Sequence, residues 1–305
     1  MKNNFTILAA FFYCFMLSCD AFAQDLNSLM MEENPKEKEF VFATFKGTRL
    51  VNMHTIETQG KRVLEYRISH RFGDINSGGA NAFGLDGGAS IRMGLEYCFD
   101  GRFNIGIGRT NIDKTVDGYA KYRLLRQTTD NKNPLSITLL AASYCITAKD
   151  PNQSINGYNK YDPATNRLSY CFQAMIARKF GDRLSLQLSP TMIHFNLVER
   201  ALDKNDMFAL GFVGRVKITK RTAFTFEYTH RLTTNYAAQK DAAGNTLYYN
   251  PIAFGLDIET GGHVFQVHLA NSQGMIESQF IPYTTSSLKS WGLRIGFNIS
   301  RVFSL

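Results

Sequence analysis

From Trp291 to Leu305 the chain alternates almost without interruption. Trp291, Leu293, Ile295, Phe297, Ile299, Phe303 and Leu305 share one parity, in which only Arg301 is polar. Gly292, Arg294, Gly296, Asn298, Ser300 and Ser304 fill most of the other. Side chains of a strand point alternately to the two faces of a sheet, so this is a strand with one greasy face and one small or polar face. Strands of soluble domains average about 5–6 residues. An alternation held for fifteen residues fits a longer span.

The pattern recurs along the chain. Leu64, Tyr66, Ile68 and Phe72 oppose Glu65, Arg67, Ser69 and Arg71. Ile91 to Phe99, Phe103 to Ile107, Leu184 to Leu188, Phe208 to Val216 and Phe224 to Tyr228 read the same way. Less clean stretches lie near 116–125, 135–146, 168–180, 251–259 and 263–270, which brings the expected number of strands to about twelve. Between them, tight turns at Asp100-Gly101, Gly181-Asp182, 219–221 and 260–262 alternate with long polar loops at 73–88, 147–166, 196–206, 232–250 and 271–288. Two connections break the rule: 110–115 is short where a long loop is due, and 126–134 is long where a turn is due.

Short turns at one end and long loops at the other describe a transmembrane barrel. A soluble barrel of twelve strands would have to fill its interior with Phe, Leu and Tyr, and such an interior is wider than side chains fill neatly. Turning the apolar parity to lipid and the polar parity to the lumen also leaves no open sheet edge. The fold expected is an all-β, up-and-down antiparallel transmembrane β-barrel over residues 62–305. Mean hydropathy is −0.20, and after the first 23 residues no apolar run approaches the length of a spanning helix.

The N-terminus reads as an address. Lys2, the apolar stretch Phe5 to Leu17 and Ala21-Phe22-Ala23 have the layout of a secretory signal peptide, residues 1–23. Residues 24–61, with the charge run Glu32 to Glu39, are expected to be a periplasmic lead-in, an extra strand or a plug inside the lumen. Beyond the signal, Cys98, Cys145 and Cys171 remain, each after a Tyr in an apolar stretch. An odd number without a CxxC reads as strand packing residues rather than a disulfide framework.

Several phrases carry a resemblance. They include Ala43-Thr44-Phe45-Lys46-Gly47-Thr48-Arg49-Leu50, Ile68-Ser69-His70-Arg71-Phe72-Gly73 and Phe83-Gly84-Leu85-Asp86. Lys121-Tyr122-Arg123-Leu124-Leu125-Arg126, Ile258 to Gln266 and Asn271-Ser272-Gln273-Gly274-Met275 belong with them. Together they resemble an uncharacterised family of Bacteroidota β-barrel proteins, domain of unknown function 5777. The resemblance implies an outer-membrane barrel and brings no activity or catalytic residue. That location in turn makes membrane lipid, lipopolysaccharide and the barrel-assembly machinery the expected partners.

No catalytic signature appears. His263 and His268 are five apart and face opposite sides of a regular strand, so a shared metal would need a bulge. No HExxH, phosphate loop or GxSxG occurs, and no cofactor is expected. His70 and His230, with Asp74 beyond His70, leave a rim hydrolase as a minor alternative. The net charge of +8 directs attention to the polar parity. Arg67, Arg71, Arg92, Lys121, Arg123, Arg215, Lys217 and Arg294 fall on it together with Glu65, Glu96, Glu227, Asp257 and Glu259. Two readings stand: a bracing network of paired charges, or a lumen whose Arg and Lys favour small anionic solutes. Nothing resembles a nucleic-acid reading helix. The functions expected are a solute channel or binder and, as a rival, a non-conducting barrel that docks a periplasmic or surface partner.

Overall fold

The computed structural model describes residues 39–150, 159–198, 203–233, 240, 244, 246–260 and 263–305. The expected signal peptide, all but the last residue of the 32–39 charge run and the Gly261-Gly262 turn lie outside the described residues. Twelve strands are found among those described: β1 (Val63–Asp74), β2 (Ser90–Cys98), β3 (Phe103–Thr110), β4 (Val116–Leu125), β5 (Ser136–Cys145), β6 (Leu168–Phe180), β7 (Leu184–Phe195), β8 (Asp206–Lys217), β9 (Thr222–Arg231), β10 (Ile252–Thr260), β11 (His263–Ala270) and β12 (Arg294–Ser304). Each pairs antiparallel with the next, and β12 closes on β1, with Ile68 opposite Ile299. The last strand starts at Arg294 rather than Trp291. A 3-10 turn over Leu288–Ser290 ends on Trp291 at φ +55°, which a strand cannot continue.

The short connections follow from their residues. Gly101 and Gly181 take φ +87° and +58°. The Asp100 carboxylate accepts from the amides of Phe103 (2.7 Å) and Arg102 (2.8 Å), and these donors hold it below the usual carboxylate range.

The parities sort as the periodicity predicts. Met93, Ile107, Phe172, Phe208 and Val267 stand exposed on the outer wall, while Arg71, Arg92, Lys121 and Glu227 are buried within. A continuous outer face of Ile, Leu and Phe has its natural solvent in hydrocarbon. The inner face, however, is not uniformly polar. On β5 to β8 it carries Leu140, Tyr144, Cys171, Met175, Ile193, Met207 and Val213, all buried in one apolar cluster. β5 and β6 are largely apolar on both faces, which is why their alternation is blurred in the sequence. Cys98, Cys145 and Cys171 are all unpaired thiols.

Candidate functional site

The lumen of this barrel is filled by the protein itself. Residues 44–56 are buried except for the half-buried Lys46. They hydrogen-bond to β1, β4, β5, β7, β9 and β12. A segment that touches both β1 and β7, on opposite sides of a closed twelve-strand wall, lies inside it.

The segment is not a strand of the wall. It turns back on itself in a tight hairpin, with Leu50 N donating to Met53 O and Thr55 N to Thr48 O, both 2.9 Å. Irregular backbone at membrane depth is tolerated only where protein groups satisfy it. The lumen side chains do this. The Glu227 carboxylate accepts from the amides of Val51 (2.7 Å), Asn52 (2.9 Å) and Met53 (3.0 Å) at the hairpin tip. Arg67 donates to the carbonyls of Arg49 (3.1 Å) and Leu50 (2.7 Å), and Asn298 to that of Val51 (3.0 Å). Arg71 holds the Asn52 side chain at 2.7 Å. Lys121 Nζ donates to the carbonyls of Thr48 (3.0 Å) and Glu57 (2.8 Å), and Thr138 to that of Ile56 (2.7 Å). Gln187 both accepts from Ile56 N (2.9 Å) and donates to His54 O (2.8 Å). Arg123 pairs with Glu57 at 2.7 Å. On the other side Phe45, Leu50, Met53 and Ile56 pack into the apolar cluster of β5 to β8.

A second element enters from the long-loop end. The β11–β12 connection folds inward, and its one short helix, α1 (Glu277–Phe280), is wholly buried. Ile276, Phe280 and Ile281 join the same apolar cluster as Phe45 and Leu50. The Glu277 carboxylate accepts from Tyr144 Oη at 2.8 Å and lies 3.5 Å from Arg49 Nη1 and 3.9 Å from His54 Nε2. Wall, plug and loop therefore meet at one buried carboxylate. Burial, then the Arg49 guanidinium, push the His54 imidazole well below its usual pKa, so it sits there neutral.

The two irregular connections now have a reason. The long 126–135 connection receives the entry of the segment: Val41 N donates to Gln127 O (2.9 Å) and Thr129 N to Glu39 O (3.0 Å). The short 111–115 connection is where Gln279 docks, 3.2 Å from Ile112 O.

Ten of the eleven residues singled out as lining the lumen are buried: Arg67, Arg71, Arg92, Glu96, Lys121, Arg123, Arg215, Glu227, Asp257 and Arg294. Glu259 is part exposed and pairs with Lys46 at 2.7 Å. Some brace the wall, as in the Arg92–Asp117 pair (2.5 Å) and the Arg294–Asp74 pair (2.6 Å). Arg67, Arg71, Lys121 and Glu227 instead serve the backbone or side chains of the plug. Sequence reasoning missed their counterparts, Asn52, His54, Gln187, Asn298 and Glu277, since nothing local marks a residue for a partner more than a hundred positions away.

His70 does not meet Asp74. It points outward and stacks on Phe297 at 4.9 Å, while Asp74 is held by Ser286 and Arg294. His268 is buried and His263 lies on the other face, and the described residues hold no cluster of metal-ligating side chains.

The profile of the family described as membrane-bound β-barrel domain, domain of unknown function 5777, matches residues 45–303. No curated protein sequence matches the chain. Among solved structures, the NanC porin is 11% identical with a TM-score of 0.49, covering 79% of this chain and 99% of its own. The KdgM porin, solved in complex with disordered oligogalacturonate, is 11% identical with a TM-score of 0.46 over 79% and 99% of the two chains. The outer membrane protein Omp33 of Acinetobacter baumannii is 8% identical with a TM-score of 0.43, over 80% and 100%. Nothing further rests on likenesses this distant.

Proposed function

Because the chain belongs to the membrane-bound β-barrel family of domain of unknown function 5777, we propose that it is an outer-membrane barrel held shut by its own N-terminal segment. It conducts only when residues 40–58 and the β11–β12 loop leave the lumen. The short turns at one end and long loops at the other support the outer-membrane location. The closed state rests on one observation above all: Glu227 takes three successive backbone amides of the plug in the middle of the lumen. Few of the lumen's charged groups are left for a passing solute while the plug is in place.

Anion preference belongs to the opened barrel. The buried strand residues include eight cations, Arg67, Arg71, Arg92, Lys121, Arg123, Arg215, Arg231 and Arg294, against five anions, Glu65, Glu96, Asp117, Glu227 and Asp257. Rings of Arg and Lys favour anions. Vesicles loaded with a small anionic dye test both halves. Those carrying the intact protein retain the dye, and those carrying Glu227→Ala release it. Equal release from the intact protein contradicts the closed state. A folded Glu227→Ala barrel whose segment 40–58 becomes protease-sensitive, yet which passes no dye, contradicts the channel and leaves the docking barrel.

A further inference from the structure

The outer wall carries a feature unconnected with the plug. A groove of about 700 Å³ runs across the lipid side of the barrel from β4 to β7. Its floor is Ala120 on β4, Ala141 on β5, Ala174 on β6 and Pro190 on β7, with Phe172 and Met192 rising beside it. Ala120 stands directly opposite Ala141 in the ladder, and Ala174 is the diagonal neighbour of Ala141. Larger outward side chains, Tyr122, Leu139, Phe172 and Ile176, stand beside them. At about 4.8 Å between strands, four strands give a floor roughly 14 Å long.

The hydrogen-bond ladder is interrupted at the end of this floor. β6 and β7 pair from Gln173↔Thr191 outward and again from Ile176↔Leu188, and between these the ladder is interrupted opposite Pro190. The register is the same on both sides, so this is a local gap in hydrogen bonding rather than a bulge. Proline has no N–H to give and is normally excluded from the middle of a sheet. On the inner side the wall stays sealed, with Met175 and Ser189 fully buried and the Met53 side chain packed against Gly211.

We propose that this groove binds one acyl chain of a bilayer phospholipid and retains it while the surrounding lipid exchanges. Its position names the occupant. The groove is continuous with the apolar band that a membrane-bound barrel turns to hydrocarbon, and its floor and banks are apolar. An empty groove there forfeits dispersion contacts along its whole length, which a flexible chain restores.

The full chain, refolded into vesicles of phosphatidylethanolamine and phosphatidylglycerol and extracted in mild detergent, would be weighed by native mass spectrometry. One retained phospholipid per barrel is expected. Ala174→Phe or Ala141→Phe, each checked for folding by heat-modifiable gel mobility, fills the floor and lowers the retained fraction roughly tenfold, the equivalent of about two methylenes left unburied. Val267→Phe, on the outer face of β11, leaves retention unchanged. A bare intact barrel, or equal retention in both filled variants, overturns the assignment.

Discussion

Glu227 shows how much of the closed state one side chain carries. Its carboxylate satisfies the amides of Val51, Asn52 and Met53, none of which has a strand partner. A buried donor left without its acceptor costs about 1–3 kcal/mol, and Glu227→Ala strands three amides, so it is expected to weaken the seat by about 3 kcal/mol or more. That raises the released fraction about a hundredfold, and hydrogen exchange of the amides of residues 50–55 measures it. Gly211 tests the apolar side of the same tip. A Cβ there would collide with the Met53 side chain, so Gly211→Leu is expected to expel Met53 and speed the same exchange. His54 supplies the pH dependence. It is fully buried, with Arg49 on its own hairpin, Glu277 on α1, Tyr119 and Lys121 on β4, Arg92 on β2 and Arg67 on β1 around it. Seated, it takes a proton only well below 6.5; released, it titrates near 6.5. The released state therefore binds more protons over that interval. The plug is at full stability above pH 6.5 and loses it as the pH falls below, and His54→Gln flattens the profile. The parity of the sequence placed Arg67, Arg71, Lys121 and Glu227 on the inner face. What they hold was hidden, because Glu227 and Asn52 are joined only by a fold that brings positions 175 apart together.

Among the elements, β12 was legible because one of its faces meets lipid and the other small polar groups. β5 and β6 were less so, since the inner face of these strands receives Phe45, Leu50, Phe280 and Ile281 and is apolar too. Their blurred alternation was itself a signal that something greasy occupies that side of the lumen. The unusual lengths of the 126–134 and 110–115 connections were equally readable and equally unexplained until the segment they dock was seen. The plug and the β11–β12 loop share Glu277, so they are expected to move together. Tyr144→Phe removes the 2.8 Å hydrogen bond to Glu277, at a cost of about 1–2 kcal/mol. Increased proteolysis in both 271–290 and 40–58 would match that coupling. Increased proteolysis in the loop alone would separate the two.

For the whole molecule, a twelve-strand circumference leaves more interior than its own inward side chains fill. This chain fills it with a polar hydrogen-bonding half and an apolar half, matched to the two sides of one hairpin. The buried lumen wall carries eight cations against five anions; some of the cations serve backbone carbonyls in the closed state, and the excess would face solutes in the open one. The most direct test is single-channel current across a planar bilayer, in a salt gradient, from the intact protein and from a variant lacking residues 40–58. The account predicts a silent intact barrel and a steady, anion-preferring current from the deletion. A steady current through the intact protein, or a folded deletion barrel that stays silent, would contradict it.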